Sequence, residues 1–546
     1  MVYNQKTLAE LFRVSVASYA DSPFISFVDE PPLTYRQFAE LVTSITSLLH
    51  AYKLNPGDRI AILSENTPNW GAIFLAAATS GLTAVPILPD FPQSDVRHII
   101  RHSEAKLVFI SPRQQTKLED FEDPMIQDII LMDGFQSIIK NKTSNLLELH
   151  RHLPNTPFKT PDEDDLASLI YTSGTTGHSK GVMLTHLNLF SDVINSVKGF
   201  PMNQQDSFLS ILPLAHTYEC TSGFMVPLYI GSSVTYIRGL PTPKTLLAAM
   251  SSVKPRALLT VPLVMEKIYR NQVQSRFNSK AVTRLMYKNP LLRKLLHKIA
   301  GKKLYKAFGN NLRFIMFGGA ALNADVEQFL IDAHFPYSIG YGLTETSPIV
   351  SINPLHHVKP NSIGKPIPEV QVRIFQPDAQ GVGEIIVKGP IVMKGYYNNP
   401  QANETVFLPD NWLRTGDLGT IDQDGYVFIK GRLKNVIIGP SGENIYPEII
   451  EQLLCSSSFV QQAIVYKQNN KLMAKIYPDY EAIDAHIQDN PQQPVNIPDL
   501  LEKIRLQINT QLSSFCQISK IFEQREPFDL TPTKKVKRYL YLNNNE

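Results

Sequence analysis

The sequence predicts an α/β protein. A large N-terminal domain of two helix-covered, mostly parallel sheets carries a small β-barrel-like subdomain, and a small α+β C-terminal domain follows. Three observations predict it. Short apolar runs alternate with helix-length segments from residue 58 to residue 317. From 363 the texture turns to short β-rich runs separated by turns. A charged segment, KGRLKN at 430–435, then leads into a compact tail. At 546 residues the chain exceeds what one hydrophobic core holds, so at least two domains are expected.

The N-terminal MVYNQKTLAELF reads as the start of a helix and lacks the apolar core of a signal peptide. Asp58 and Arg59 lead into a buried strand over 60–63. The longest uncharged stretch, 70–88, has the length of a membrane span but is cut by Gly81 and Pro86. It reads as a buried helix over 70–80 and a buried strand over 83–88. A helix over 94–103 precedes a strand over 106–110, and the rhythm returns in apolar runs at 207–212, 232–237, 257–261 and 312–317. Strands joined through helices pair in parallel. Beyond 363, the runs 370–374, 383–387 and 426–430, with the turn DQDG at 422–425, read as a small barrel or an added antiparallel sheet. The tail reads as a helix over 446–454, a hairpin of 462–466 and 472–477, a Pro/Gln/Asn loop over 489–499 and a helix over 500–512. The domain boundary falls near Arg432, dividing 1–431 from 432–546.

A net charge of +3 makes no case for a nucleic-acid partner. Cys220, Cys455 and Cys516 lie too far apart for metal-ligand spacing or a disulfide framework, which points to a reducing, cytoplasmic compartment.

One loop carries an unusual density of small hydroxylated residues: YTSGTTGHSKGVMLTH at 171–186, between the apolar runs 166–170 and 182–184. Backbone N–H groups and hydroxyls of such a loop wrap an oxyanion, most often a phosphate, and Lys180 adds a point charge. The spacing is not that of the common P-loop, because His178 and Ser179 separate Gly177 from Lys180. Three further segments suit a nucleotide. FGGAAL at 317–322 follows a strand and lets a flat ligand lie against backbone. YGLTETSP at 341–348 offers an aromatic for a base, and a threonine and an acid for phosphate and Mg²⁺. WLRTGDLG at 412–419 puts Asp417 after a glycine, where a carboxylate can take two ribose hydroxyls.

In this order, and with LPLAHTYE (212–219), GEIIVKGPIVMKGYYNNP (383–400), GRLKNVII (431–438), GENIYPEIIE (442–451) and LTPTKKVKR (530–538), these segments resemble the motif series of the AMP-forming acyl-CoA synthetases. This is the adenylate-forming superfamily shared with luciferases and peptide-synthetase adenylation domains, and LPLAHTYE and GENIYPEIIE are most similar to its long-chain fatty-acid branch. The resemblance covers essentially the whole chain. It implies that a fatty acid, a long-chain one, is activated by ATP to acyl-AMP with release of pyrophosphate, then transferred to coenzyme A, with Mg²⁺ as cofactor.

The resemblance also implies roles by position. Thr172, Ser173, Gly174, Thr175, Thr176, Gly177 and Lys180 would cradle the β- and γ-phosphates. Gly319, Ala320, Tyr341 and Gly342 would bound the adenine slot, Thr344 would touch the α-phosphate and Glu345 would hold Mg²⁺. Asp417 and Arg432 would bind the ribose. His216 either lines the carboxylate end of the acyl pocket or is a structural histidine. Lys434 would be the hinge of a mobile C-terminal domain, with Gly442, Glu443 and Asn444 on the thiol side. Lys535 would be the adenylation lysine; Lys534 stands where the family motif usually has glycine, and position within the motif points to Lys535.

Amino-acid adenylation domains place an aspartate just after the segment matching LPLAHTYE. Residues 217–226 offer Glu219 and then apolar or small side chains, so an apolar acid fits better. Each buried methylene of such an acid is worth ~0.8 kcal/mol. Residues 280–306 carry Lys280, Arg284, Lys288, Arg293, Lys294, Lys298, Lys302, Lys303 and Lys306, with Leu291, Leu292, Leu295, Leu296, Ile299 and Leu304 at helical spacing. A basic helix of this kind makes peripheral contact with an anionic membrane or packs its apolar stripe on the core; the second is the expectation. Two other readings stay open. The acyl group could pass to an acyl-carrier protein, or the chain could be a catalytically idle acyl- or nucleotide-binding protein, against which Lys535, Glu345, Asp417 and Arg432 all argue.

Overall fold

The computed structural model describes residues 2–140, 144–149, 160–172, 179–239, 242–274, 277, 281–439, 443–489, 496–531 and 536–542. Two large mixed sheets dominate the first part of the chain. In the first, Thr83–Ile87, Arg59–Leu63, Ala105–Ile110 and Asp128–Leu131 run parallel, and Leu166–Thr172 joins Thr83–Ile87 in the same sense. Lys180–Thr185 then turns back on Leu166–Thr172 as an antiparallel hairpin, and the short strand Gly395–Tyr396 closes that edge.

The uncharged stretch forms the helix Pro68–Thr79. Thr67 caps it by accepting from the Trp70 N–H, and Pro68 opens it at the position where a missing N–H costs nothing. Every residue from Trp70 to Ala78 is buried, which accounts for a segment apolar on all sides without any membrane. Among the described residues no helix is long and apolar enough to cross a membrane.

Among the described residues the second sheet has nine strands. Its parallel centre is Tyr337–Gly342, Phe314–Phe317, Ala257–Thr260, Phe208–Ser210 and Val234–Tyr236. The strand Pro23–Phe27, far earlier in the chain, pairs in parallel with Val234–Tyr236, so the N-terminus is built into the second sheet. One apolar core joins the two sheets, and a second lies beneath the helices on the outer side of the second sheet.

The β-rich segment forms an antiparallel sheet of Gln371–Phe375, Gly383–Lys388, Trp412–Ile421 and Phe407–Leu408, with Val427–Arg432 branching from Trp412–Ile421. The tail has its own apolar core. There the hairpin Val460–Gln468/Lys471–Pro478 turns through Asn469 and Asn470, both at positive φ, as a two-residue hairpin requires. Ile518–Glu523 adds a parallel strand. Arg270 donates to the Cys455 carbonyl at 2.9 Å and Gln452 to the Leu322 carbonyl at 2.9 Å, tying the tail to the large sheets. None of the three cysteines is in a disulfide.

The basic segment departs from expectation. It forms two helices, Ala281–Lys288 and Pro290–Ala307, and the longer one buries His297, Gly301 and, of its apolar stripe, only Leu304. Leu291, Leu292, Leu295 and Ile299 are exposed. Periodicity told which residues share a stripe, not which side of the helix meets the protein.

Candidate active site

The phosphate-type loop springs from the tip of a β-hairpin. Register sets Thr172 directly opposite Lys180, so the two strand ends converge on one spot. Ser173, Gly174, Thr175, Thr176 and Gly177 lie outside the described residues.

Lys180 has company that the sequence did not assign. Its ammonium lies 5.0 Å from the ring centre of Tyr396, and the Tyr396 hydroxyl donates to Glu345 Oε1 at 2.8 Å. Backbone holds the three together: Tyr396 pairs with Val182, the Tyr397 N–H donates to the Gly181 carbonyl, and the Met393 N–H donates to the Glu345 carbonyl. Burial, then the neighbouring Glu345 charge, pushes the Tyr396 hydroxyl far up, so it stays a proton donor. GYY sits within GEIIVKGPIVMKGYYNNP, but nothing local in it says that Tyr396 meets a carboxylate fifty-one positions away.

Thr344 and Glu345 occupy a single 3₁₀ turn just beyond the strand Tyr337–Gly342. Both are half-buried, whereas the next residue, Thr346, is fully buried. Gly342 is forced by close approach: a Cβ there would come within 1.8 Å of the Pro348 carbonyl oxygen.

The predicted nucleoside residues also converge. Phe314–Phe317 and Tyr337–Gly342 are neighbouring parallel strands, so Gly319 and Tyr341 share the carboxyl edge of the second sheet, where open α/β sheets bind ligands. Gly319 has φ +82°, and a Cβ there would meet only Val261, at 3.7 Å, so the ledge formed with exposed Ala320 is open. Tyr341 donates its hydroxyl to Asp417 Oδ2 at 2.6 Å, and Arg432 Nε meets Asp417 Oδ1 at 2.7 Å. Asp417 and Arg432 stand opposite each other in the sheet register, which fixes the pair through backbone. Asp417 is buried and Arg432 about one-third exposed.

His216 lies half-buried in the segment after Phe208–Ser210. Its Nδ1 accepts the Tyr218 N–H at 3.2 Å, so a neutral ring carries its proton on Nε2. Next comes a π-helical turn, Glu219–Met225. Glu219 is completely buried, and neither carboxyl oxygen has a hydrogen-bond partner of regular geometry among the described residues. Burial pushes its carboxyl up to about 8, against a weaker pull from the Ser210 hydroxyl. Gly223 makes the room: a Cβ there would sit 2.5 Å from Glu219 Oε1. The same helical segment supplies Ser222 and Val226 to a small apolar cavity shared with Met202, Leu259, Met316 and Ile352. The cavity has room for about one water molecule.

Lys434 lies exposed on the short turn Leu433–Asn435 that follows Arg432. Asn444 begins the two-residue strand that pairs with Ile437–Ile438, with half-buried Glu443 before it. Gly442 and Lys535 lie outside the described residues. Just beyond, Arg538 is fixed by two contacts to Glu451, at 2.6 and 2.7 Å.

Among the described residues no group of three His, Cys, Asp or Glu could hold a metal by itself. A lone carboxylate such as that of half-buried Glu345 is compatible with Mg²⁺, which is commonly held by one or two carboxylates together with substrate phosphates.

A family model described as "AMP-binding enzyme" matches residues 12–397. The chain is 29% identical to the long-chain-fatty-acid–CoA ligase FadD15 of Mycobacterium bovis, across 88% of this chain and 86% of that protein. It is 27% identical to the peroxisomal long chain acyl-CoA synthetase 7 of Arabidopsis thaliana, across 97% and 84%. Among solved structures, ATP-bound MatB from Rhodopseudomonas palustris superposes with a TM-score of 0.78 at 23% identity, over 97% of this chain and 98% of that one, a likeness of fold.

Proposed function

The chain belongs to the AMP-binding enzyme family, and from that premise we propose that it activates a long-chain fatty acid as acyl-AMP and passes the acyl group to coenzyme A. In the first step a carboxylate oxygen of the acid attacks the α-phosphorus of ATP and pyrophosphate leaves. In the second the thiol attacks the acyl carbon and AMP leaves. Both partners of the first step are anions, so catalysis is positioning and charge stabilisation.

The observation that carries the reading is that two clusters from three sheets meet beyond the carboxyl end of Tyr337–Gly342, a strand that holds Tyr341 and leads directly into the turn bearing Glu345, with Arg432 close enough to act on Tyr396. Tyr341, Asp417 and Arg432 form the nucleoside end; Lys180, Tyr396 and Glu345 form the polyphosphate end. Adenine lies on the Gly319–Ala320 ledge beside Tyr341, and Asp417 and Arg432 take the ribose hydroxyls. Lys180, Thr172 and the loop through Ser173, Gly174, Thr175, Thr176 and Gly177 hold the leaving pyrophosphate, while Thr344 contacts the α-phosphate. Glu345 is the side chain that would hold Mg²⁺, and the ion would neutralise phosphate charge there. Tyr396 aims that carboxylate by donating to one of its oxygens.

Lys535 contributes the cation of the adenylation step. It belongs to a domain of residues 432–546 that turns about Lys434 and brings Gly442, Glu443 and Asn444 to the thiol side. His216 stands at the carboxylate end of the acyl site. A neutral Glu219 supports an apolar acid, since it offers no fixed charge to pair a substrate ammonium. The wall around Val226 and Met316 must yield for a long tail, because the cavity there is small.

The test is acid-dependent AMP release from ATP and Mg²⁺, over acids from acetate to oleate, with and without coenzyme A. Turnover that requires both a long acid and coenzyme A supports the proposal. Acyl-adenylate that turns over only on an acyl-carrier protein would redirect it to that acceptor, and no adenylate from any acid would remove it. Lys535→Ala is expected to abolish adenylation and spare thioester formation from supplied acyl-AMP.

A further inference from the structure

Between Lys267 and Ala324 the chain carries thirteen lysines and arginines and no acid, while its whole net charge is only +3. The remainder of the molecule is therefore net acidic, and the positive charge is concentrated in one segment. That segment contains the helices Ala281–Lys288 and Pro290–Ala307.

The inner side of the longer helix is fixed by chemistry. Buried His297 meets Asp332 through Nδ1 at 2.8 Å and the Tyr287 hydroxyl through Nε2 at 2.9 Å. Gly301 lies so close to the next helix that a Cβ would come within 2.4 Å of Ala333 Cβ. Leu304 joins the core beneath. With that side held inward, the outer side is decided. Val282, Leu285, Leu291, Leu292, Leu295 and Ile299 are 37–80% exposed. Leu291, Leu295 and Ile299 follow at four-residue spacing and so line one stripe. Around them Lys288, Lys294, Lys302, Lys303 and Lys306 are exposed, and none enters an ion pair among the described residues.

Six exposed large aliphatic side chains on two consecutive helices, interspersed with lysines that enter no ion pair among the described residues, need a partner that accepts both. A nucleic acid would pair the lysines but leave the leucines wet. A second copy of this chain would press two strongly positive faces together. An anionic lipid surface satisfies both: headgroups meet the lysines, and the aliphatic side chains enter the boundary between headgroups and acyl chains. We propose that the outer face of these two helices docks the protein on an anionic membrane. This role stands apart from the proposed reaction, although a long-chain acid would be met at the same surface.

The experiment is co-sedimentation of the full-length protein with vesicles of phosphatidylcholine alone or enriched in phosphatidylglycerol, across ionic strength. Binding is expected only to the phosphatidylglycerol vesicles, falling by more than about tenfold from low to high salt. The paired change Leu291→Asp and Leu295→Asp is expected to weaken it by more than about tenfold, and Lys294→Glu with Lys302→Glu to do so chiefly at low salt. All four positions are exposed, so melting temperature and AMP release with a water-soluble acid should not move. Equal binding to both vesicle types, no binding to either, or binding unaffected by both variant pairs would overturn the proposal. So would self-association that either pair abolishes.

Discussion

Of the carboxyl groups buried within the large domain, Asp417 and Glu219 are treated in opposite ways. Asp417 is 4% exposed and Glu219 is 1% exposed. Asp417 meets Tyr341 through one oxygen and Arg432 through the other, and its backbone position opposite Arg432 holds the arrangement. Among the described residues Glu219 has neither cation nor donor of regular geometry, and Gly223 makes the room for it. A buried charge is tolerable only when paired, so the first group can remain a carboxylate and the second keeps its proton. One is built to hold something polar; the other is kept from being a charge at all.

The sharpest way to break this contrast is to remove the paired acid. Asp417→Ala strips two hydrogen bonds to a charged group, each worth ~1.5–3 kcal/mol. ATP binding is expected to weaken by about a hundredfold or more, seen as a rise in KM for ATP or by calorimetry with AMP. Because Arg432 is partly exposed, its own solvation softens the loss of stability. Unchanged nucleotide affinity would show that the pair is structural only.

The unpaired acid predicts a pH effect. The Glu219 carboxyl is raised from its ordinary 4.5 to about 8 by burial. Between those values the unfolded chain has lost this proton while the folded chain keeps it, so folding binds a proton and stability falls as pH rises. The contribution is complete below 4.5 and gone above about 8. Glu219→Gln keeps the shape without the proton. It is expected to match the wild type near the lower limit and to exceed it by a few kcal/mol near the upper one, with a flatter profile of melting temperature against pH. Parallel profiles for the two proteins would mean that Glu219 is ionised or solvated in the folded state.

These two groups also mark what could be read from residues alone. Asp417 and Arg432 stand in motifs that name themselves, and the helix Pro68–Thr79 declared its burial by having no polar side. The state of Glu219 was not legible, because it depends on a π-helical turn and on the missing Cβ of Gly223. Nor was the placement of Pro23–Phe27 in the second sheet, a pairing across some two hundred residues with no local signature. The side on which the lysine-rich helix packs was not legible for a related reason. Its inward side is chosen by His297, Asp332 and Gly301, none of which stands out in a hydrophobic pattern.

The contrast sharpens further at Glu345, a half-buried carboxylate between the two extremes. Among the described residues its side chain has one fixed donor, the Tyr396 hydroxyl, and the other oxygen can face a cation. Tyr396→Phe removes that donor and little else: the ring remains, and Lys180 can keep its place over it. With one hydrogen bond to a charged group lost, the expected cost is ~1.5 kcal/mol, or about tenfold in rate. If Tyr396 acts by aiming Glu345, the loss should fall on kcat and on the Mg²⁺ concentration needed for half-maximal rate, and excess Mg²⁺ should recover part of it. A structural tyrosine would instead lower the melting temperature and leave the Mg²⁺ titration where it was. Glu345→Gln in the same assay supplies the reference, since a positioning residue cannot cost more than the group it positions.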